Sequence, residues 1–319
     1  MSTPDVLVAG ETLIDFIPDQ PGPLSTVESF SRRAGGAPAN VAVGLARLDR
    51  SPWFLTNVAE DAFGEFLVDG LRGHGIPQRF VTRDPDHQTT LAFVAHDATA
   101  DREFSFYRTE TADQYIDPGV VDDDALDSTS WVALGGVALA NEPARSRLFE
   151  FVERARDHGC AVVFDPNTRP ELWADEATFE TVLERMLSLT DVLKTSADDL
   201  LGTRFADGGS VDTDSLFEVG PHTVFATRGS AGARAVSSHD APWGAVDETH
   251  PGYAVGAVDT TGAGDAFLAG VLAGLVDDEP LDEVLGFANA VAALTTTDAG
   301  ASTALPDRAA VAEFRVENE

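Results

Sequence analysis

The chain has 319 residues, with 21 Lys+Arg against 54 Asp+Glu, a formal net charge of −33 and 43% hydrophobic residues. That length suits one large domain or a domain with a small appendage, and that apolar content excludes global disorder. The single cysteine, Cys160, excludes an intrachain disulfide framework and a cysteine-based metal cluster, while the charge argues against nucleic acid and anionic lipid as partners.

Lys194 is the one lysine; the other 20 basic residues are arginines, and the acidic residues run along the whole chain. Self-repulsion on this scale destabilises a compact state in dilute buffer, and a Debye length of about 3 Å at 1 M salt screens it. The balance predicts a protein adapted to a high-salt cytoplasm rather than an ordinary acidic cytosolic enzyme. Its melting temperature should therefore climb with KCl, and a flat curve would exclude the idea. The histidines are scattered without metal-pair spacing. The longest apolar runs, 131–140 and 266–276, fall short of the roughly 18 residues of a spanning helix. No basic segment opens the chain as in a signal peptide, so a soluble cytoplasmic protein is expected.

In chain order, the pattern predicts strands at 6–9, 53–56, 131–134, 161–164, 192–193 and 223–226. Helices are predicted at 39–48, 63–73, 144–158, 178–189, 264–275 and 281–296. Such alternation implies an α/β protein with a parallel sheet covered by helices on both faces. Two stretches break the pattern. Residues 12–18 with 25–32, and 89–95 with 103–107, read as half-buried strands with no helix between them. They predict a small β appendage, which over a cleft would act as a lid; ordinary edge hairpins would give the same pattern.

The sharpest motif is Asp259-Thr260-Thr261-Gly262-Ala263-Gly264-Asp265, which runs into a small-residue apolar helix. Gly262 and Gly264 let the backbone approach a ligand, and the first amides of the helix point outward with the positive end of its dipole behind them. That is an anion site suited to a transferring phosphoryl group. Asp265 stands ready to accept a proton from an attacking hydroxyl. A carboxylate at a helix N-terminus is held ionised and is a weak base, but a loose phosphoryl-transfer transition state needs little early proton removal. A plain cap after a glycine turn would explain Asp265 alone. No GxxxxGK[ST] loop and no protein-kinase HRD or DFG string occurs.

The string resembles the C-terminal signature of the ribokinase-like (PfkB) carbohydrate kinases, and the resemblance extends over essentially the whole chain. Gly10-Glu11-Thr12-Leu13-Ile14-Asp15 is similar to the family's first strand and sugar-binding aspartate. Gly35-Gly36-Ala37-Pro38-Ala39-Asn40 resembles its N-terminal glycine signature, and Glu60-Asp61-Ala62-Phe63-Gly64 another landmark. The implied fold is a three-layer αβα domain over 1–319 with a mostly parallel sheet and a small β lid from about 12–34 and 88–114. The implied activity is transfer of the γ-phosphoryl group of ATP to a sugar. Asp265 would be the base and Gly262, Ala263 and Gly264 the anion hole. Asp15, Gly35, Gly36, Asn40 and Arg108 would meet the sugar, whose hydroxyls need the acceptors and amides that Asp15 and Asn40 carry.

Asp165-Pro166-Asn167-Thr168-Arg169 follows a buried strand, at the sheet end where ligands bind in open α/β folds. It resembles a segment of fructokinases and 2-keto-3-deoxysugar kinases, with Arg169 facing the transferring phosphate. Lys194-Thr195-Ser196-Ala197-Asp198-Asp199 resembles the element in which Lys194 and Ser196 face nucleotide and Asp199 organises Mg²⁺, indirectly through water given its short side chain. Thr227, Gly229 and Gly232 resemble the nucleotide-side turn, and Asn289 falls where the family closes its adenine pocket. Asp259, Thr261, Thr295 and Gly300 are implied ligands of a monovalent cation such as K⁺.

Phe104-Ser105-Phe106-Tyr107-Arg108 with Ala112-Asp113 resembles the lid pattern of fructokinases, and Ala37 stands where ribokinase proper has lysine. The expected acceptor is a primary hydroxyl of a ketohexose, D-fructose, with 2-keto-3-deoxygluconate as the alternative. The rival of another class is a non-catalytic sugar or nucleotide sensor on the same scaffold. Expected partners are the sugar and ATP, with homodimerisation through the lid left open.

Overall fold

The computed structural model describes residues 4–20, 22–96 and 102–318. The first half of the chain forms β1 (Val6–Ala9), β2 (Leu13–Pro18), β3 (Phe30–Gly35), α1 (Ala37–Arg47), β4 (Trp53–Ala59), α2 (Ala62–Gly73), β5 (Val81–Asp84), β6 (Leu91–His96), β7 (Arg102–Tyr107), α3 (Asp123–Asp127), β8 (Trp131–Gly135) and α4 (Ala144–Asp157). Next come β9 (Ala161–Asp165), α5 (Glu176–Leu187), β10 (Val192–Ser196), β11 (Ala206–Asp207), β12 (Ser210–Val211) and α6 (Thr213–Phe217). The chain continues through β13 (Thr223–Thr227), β14 (Ala233–Ser237), β15 (Val246–His250), α7 (Ala263–Val276), α8 (Leu281–Thr295) and α9 (Arg308–Asn318).

Among the described residues the main sheet has 9 strands in the order β15-β14-β13-β10-β9-β8-β1-β4-β5. Pairing is parallel from β13 to β5, and β14 and β15 are added antiparallel at one edge. Strand side chains alternate between two cores. Val6, Val8, Phe54, Ala133, Val163 and Phe225 pack with α1, α7 and α8; Leu7, Ala9, Leu55, Val132, Phe164 and Val224 pack with α4 and α5. Burial on both faces is why these strands read as continuous apolar runs. The expected α/β layering, a mostly parallel sheet with helices on both faces, is what the chain adopts.

The second sheet has 4 strands in the order β3-β2-β6-β7, with β2 and β6 parallel and the outer pairs antiparallel. It is the β appendage expected from the two stretches that break the strand–helix alternation.

Two differences from the sequence pattern have physical causes. The parallel strands run past the apolar runs that signal them: β4 continues through Thr56 and Asn57 to Ala59, and β10 through Lys194 and Thr195 to Ser196. Polar residues at these ends keep their ladder bonds; the Asn57 amide is held by Asp84 and the Ala112 carbonyl, and the Lys194 ammonium by Asp165. The strands β5, β11, β12, β14 and β15, the short helices α3 and α6 and the terminal helix α9 were not predicted. Val246–His250 has no buried residue and α9 buries only Val311, so neither carries a strong hydrophobic period.

Helix α7 is buried almost all round. It crosses α1 so closely that a methyl at Gly44 would come within 2.7 Å of Ala269 Cβ. No helix among the described residues is long and apolar enough to cross a membrane.

Candidate active site

An open cleft of about 390 Å³ lies at the carboxyl ends of the parallel strands, where such sheets bind ligands. Leu13, Asp15, Phe104 and Phe106 of the four-stranded sheet line one side. Asn167, Arg169, Lys194, Ser196, Asp199, Thr227 and the 260–265 segment line the other. The cleft thus gathers side chains from β2, α1, β7, β10, β13, the N-terminus of α7 and the segment after β9.

Asp265 sits in the first turn of α7, 7% exposed, on the cleft wall. Asn40 Nδ2 donates to its Oδ2 at 2.8 Å, and Asn167 Nδ2 approaches its Oδ1 at 3.4 Å. Burial pushes its carboxyl up to about 6, against the Asn40 hydrogen bond that favours the ionised form; nearby Asp165 raises it further, and Lys194 and Arg169 pull it down. The helix N-terminus was expected to keep this carboxylate a weak base. Desolvation outweighs that, and the group is poised for proton transfer near neutrality.

Gly262 caps α7 in the left-handed region, φ 75°, and a methyl there would meet Ala301 Cβ at 2.7 Å. A side chain would be excluded on both counts. Among the described residues the amides of Gly262, Gly264 and Asp265 have no backbone acceptor. That of Ala263, expected to be open, instead donates to the Thr260 carbonyl at 3.3 Å. Beside them lies Lys194, its Nζ 2.8 Å from Asp165 Oδ2 and 3.1 Å from where a Gly264 Cβ would stand. Burial disfavours the ammonium, but Asp165, Asp199 and Asp265 together hold Lys194 protonated. Arg169 lines the same wall, donating to the carbonyls of Asn167 and Thr168, with its guanidinium over the Phe104 ring. A minority of cationic groups in an acidic chain are therefore concentrated where an anion would lie.

Asp199 is half-buried, its Oδ2 bonded to the amide and hydroxyl of Ser196 and its Oδ1 to the Thr168 amide. With lone pairs left toward the cleft it fits a Mg²⁺ held through water, since that ion keeps several of its waters. Asp259 accepts from the amide and hydroxyl of Thr261 and from the Gly300 amide. Thr296, next to Thr295, bonds the amides of Val258 and Asp259. The residues singled out for a monovalent cation thus come together beside the α7 N-terminus.

At the sugar end, Asp15 and Gly36 line the cleft, and Gly35 packs so tightly on Asp15 that a methyl would fall 2.1 Å from its Oδ2. Asn40 also lines the cleft, and one N–H of its amide is given to Asp265. Arg108 lies behind the cleft lining, its Nε on Asp113 Oδ2 at 2.7 Å and its Nη1 on the Val137 carbonyl. On the nucleotide side Thr227 lines the cleft. Gly229 and Gly232 close the turn after β13, where Arg228 donates to the Gly232 carbonyl. Asn289 is buried within α8 on the Leu285 carbonyl, off the lining.

Three polar residues of the cleft lining, Asn167, Glu11 and Thr260, were not singled out from sequence. Asn167 has positive φ, 38°, a conformation asparagine tolerates, and the Asp-Pro-Asn string was its signal. Glu11 lines the cleft 2% exposed, and it was hidden in a run that otherwise reads as strand.

Residues 3–308 match the model of the pfkB family carbohydrate kinases. The chain is 33% identical over 315 residues to a fructokinase of Vibrio alginolyticus, covering 97% of this chain and 98% of that one. Its fold matches a fructokinase with bound ATP from Xylella fastidiosa with a TM-score of 0.86 at 31% identity, over 98% of each chain. A double mutant of the Vibrio cholerae fructokinase in a form with fructose, ADP and potassium matches with a TM-score of 0.84 at 30% identity, again over 98% of each chain.

Proposed function

The chain belongs to the pfkB family of carbohydrate kinases, and we propose that within it this protein is an ATP-dependent fructokinase. It transfers the γ-phosphoryl group of ATP to a primary hydroxyl of D-fructose. The observation that carries this reading is one juxtaposition: a buried, partly desolvated Asp265, the open amides of Gly262 and Gly264, and the Lys194 ammonium on a single cleft wall.

In the proposed mechanism the fructose hydroxyl attacks the γ-phosphorus, its proton passes to Asp265, and the bond to the β-phosphate oxygen breaks to release ADP. Asn40 and Asn167 hold the Asp265 carboxylate toward the hydroxyl. The α7 amides and dipole, with Lys194 and Arg169, stabilise charge on the transferring group. Ser196 and Thr227, with the turn at Gly229 and Gly232 and the Asn289 region, belong to the nucleotide half. Mg²⁺, organised by Asp199 through water, would neutralise the β- and γ-phosphates when bound. K⁺ beside the Asp259–Thr261–Gly300 knot would support the conformation of the anion hole.

The four-stranded sheet is the lid of this reading, closing Phe104 and Phe106 over the sugar and excluding water. Tyr107, on the opposite face of β7 and 64% exposed, supports homodimerisation through that sheet. The enzyme acts in the cytoplasm on small molecules. A coupled ADP-release assay in high KCl, with D-fructose against 2-keto-3-deoxygluconate and against ATP alone, tests the assignment. Fructose-dependent ADP release is expected. No ADP release above the ATP-alone control with either sugar would remove the kinase reading and leave a non-catalytic sensor.

A further inference from the structure

Two cations line the cleft. Lys194 is tied to Asp165, whereas Arg169 is hydrogen-bonded to no carboxylate among the described residues. Its Nη1 donates to the carbonyls of Asn167 and Thr168 at 3.4 and 3.0 Å, and its Nε and Nη2 have no acceptor among the described residues. What Arg169 has instead is a ring. Its guanidinium carbon lies 5.7 Å from the centroid of Phe104, inside the reach of a cation–π contact. Phe104 is on β7 of the four-stranded sheet and Arg169 follows β9 of the main sheet, so the contact bridges the two sides of the cleft. Phe106, on the same face of β7, stacks on Phe104 with centroids 5.8 Å apart and an interplanar angle of 15°.

We propose that Phe104 is a positioning residue: from the lid it aims the Arg169 guanidinium at the transferring phosphate. The proposal rests on the kinase reading of this cleft and adds the group that sets its arginine. Pro170 already confines the Arg169 backbone to an extended conformation, φ −125° and ψ 90°, so the side chain is what remains to be fixed. A carboxylate partner would fix it too, but would take the N–H groups and the charge that a phosphate needs. A ring face holds the plane of the guanidinium and leaves its rim of donors open. Because the ring belongs to the lid, the arginine is aimed only while the lid lies over the cleft. Closure over the sugar and completion of the phosphate clamp then become one event.

The test is a double-mutant cycle on fructose phosphorylation by ATP in high KCl, with Phe104→Leu, Arg169→Met and the two combined. Phe104→Leu keeps an apolar side chain on β7 and removes the ring face. Its kcat should fall about 3- to 30-fold, the span of one cation–π contact. KM for fructose should stay close to wild type, because the arginine acts on the transferring group rather than on sugar binding. Phe104→Tyr, which keeps the ring, should retain most of the turnover. In the Arg169→Met background, Phe104→Leu should make little further difference. A Phe104→Leu loss that persists undiminished without the arginine, or that falls on KM with kcat intact, overturns the assignment of Phe104. So does a Phe104→Leu variant as active as wild type, or a Phe104→Tyr variant as impaired as Phe104→Leu. Wild-type protein that turns over no fructose overturns instead the reading on which the proposal rests, so the two failures are distinct.

Discussion

Replacing Asp265 by asparagine is expected to lower kcat by about 10²–10⁴-fold, the range for removing a positioned general base. Affinity for sugar and ATP should stay close to wild type, because asparagine keeps the size of the side chain and an acceptor for Asn40. A loss confined to kcat identifies an interaction made only as the proton moves. The wild-type pH profile should agree. Below about 6 Asp265 carries a proton and cannot take another, so kcat/KM should rise with pH through that value and then level. Glu11, pushed up by burial to about 7, titrates in the same window and is coupled to Asp265, so the limb belongs to the two carboxyls jointly. An asparagine variant that turns over as fast as wild type would refute the assignment of the base.

Lys194→Met should be nearly as severe, and in two separable ways. Lys194 and Asp165 face each other almost without solvent, at 7% and 4% side-chain exposure. Removing the ammonium strands a buried carboxylate, which costs about 3–5 kcal/mol of stability. Asp165, already raised by burial, meets part of that loss by taking up a proton. Activity should fall further than stability explains, because the ammonium lies against the α7 amides where phosphate charge develops; loss of one such donor costs about 10²–10³ in kcat. The double change Lys194→Met with Asp165→Leu separates the two effects. Thermal unfolding should recover most of the stability while turnover stays low. Recovery of both would reduce the pair to a structural role.

Layering and order of elements were legible because both faces of the sheet are buried, so each parallel strand announces itself as an apolar run. The glycine strings around Asn40 and Asp265 were legible for a related reason: close approach admits few residues, and Gly44 against Ala269 and Gly262 against Ala301 leave no room for a side chain. Partnerships between side chains were not. Asn40 reads as a sugar ligand from local chemistry, and only the crossing of α1 and α7 shows that one of its N–H groups also holds Asp265. Arg108 reads as a reaching arginine, and only the fold of the segment carrying Asp113 shows it tethered. Glu11 gave no signal because burial, rather than residue type or spacing, makes it noteworthy.

The hydrogen bond between Asn40 and Asp265 joins residues 225 positions apart in the chain. On the ribosome, the first of them emerges long before the second is made. Until α7 has docked on α1, the nascent protein has its sugar-facing sheet but no base, and an N-terminal fragment released by nicking inherits the same deficit. Competence for phosphate transfer is therefore a property of the finished chain, acquired late and lost whenever its two ends part.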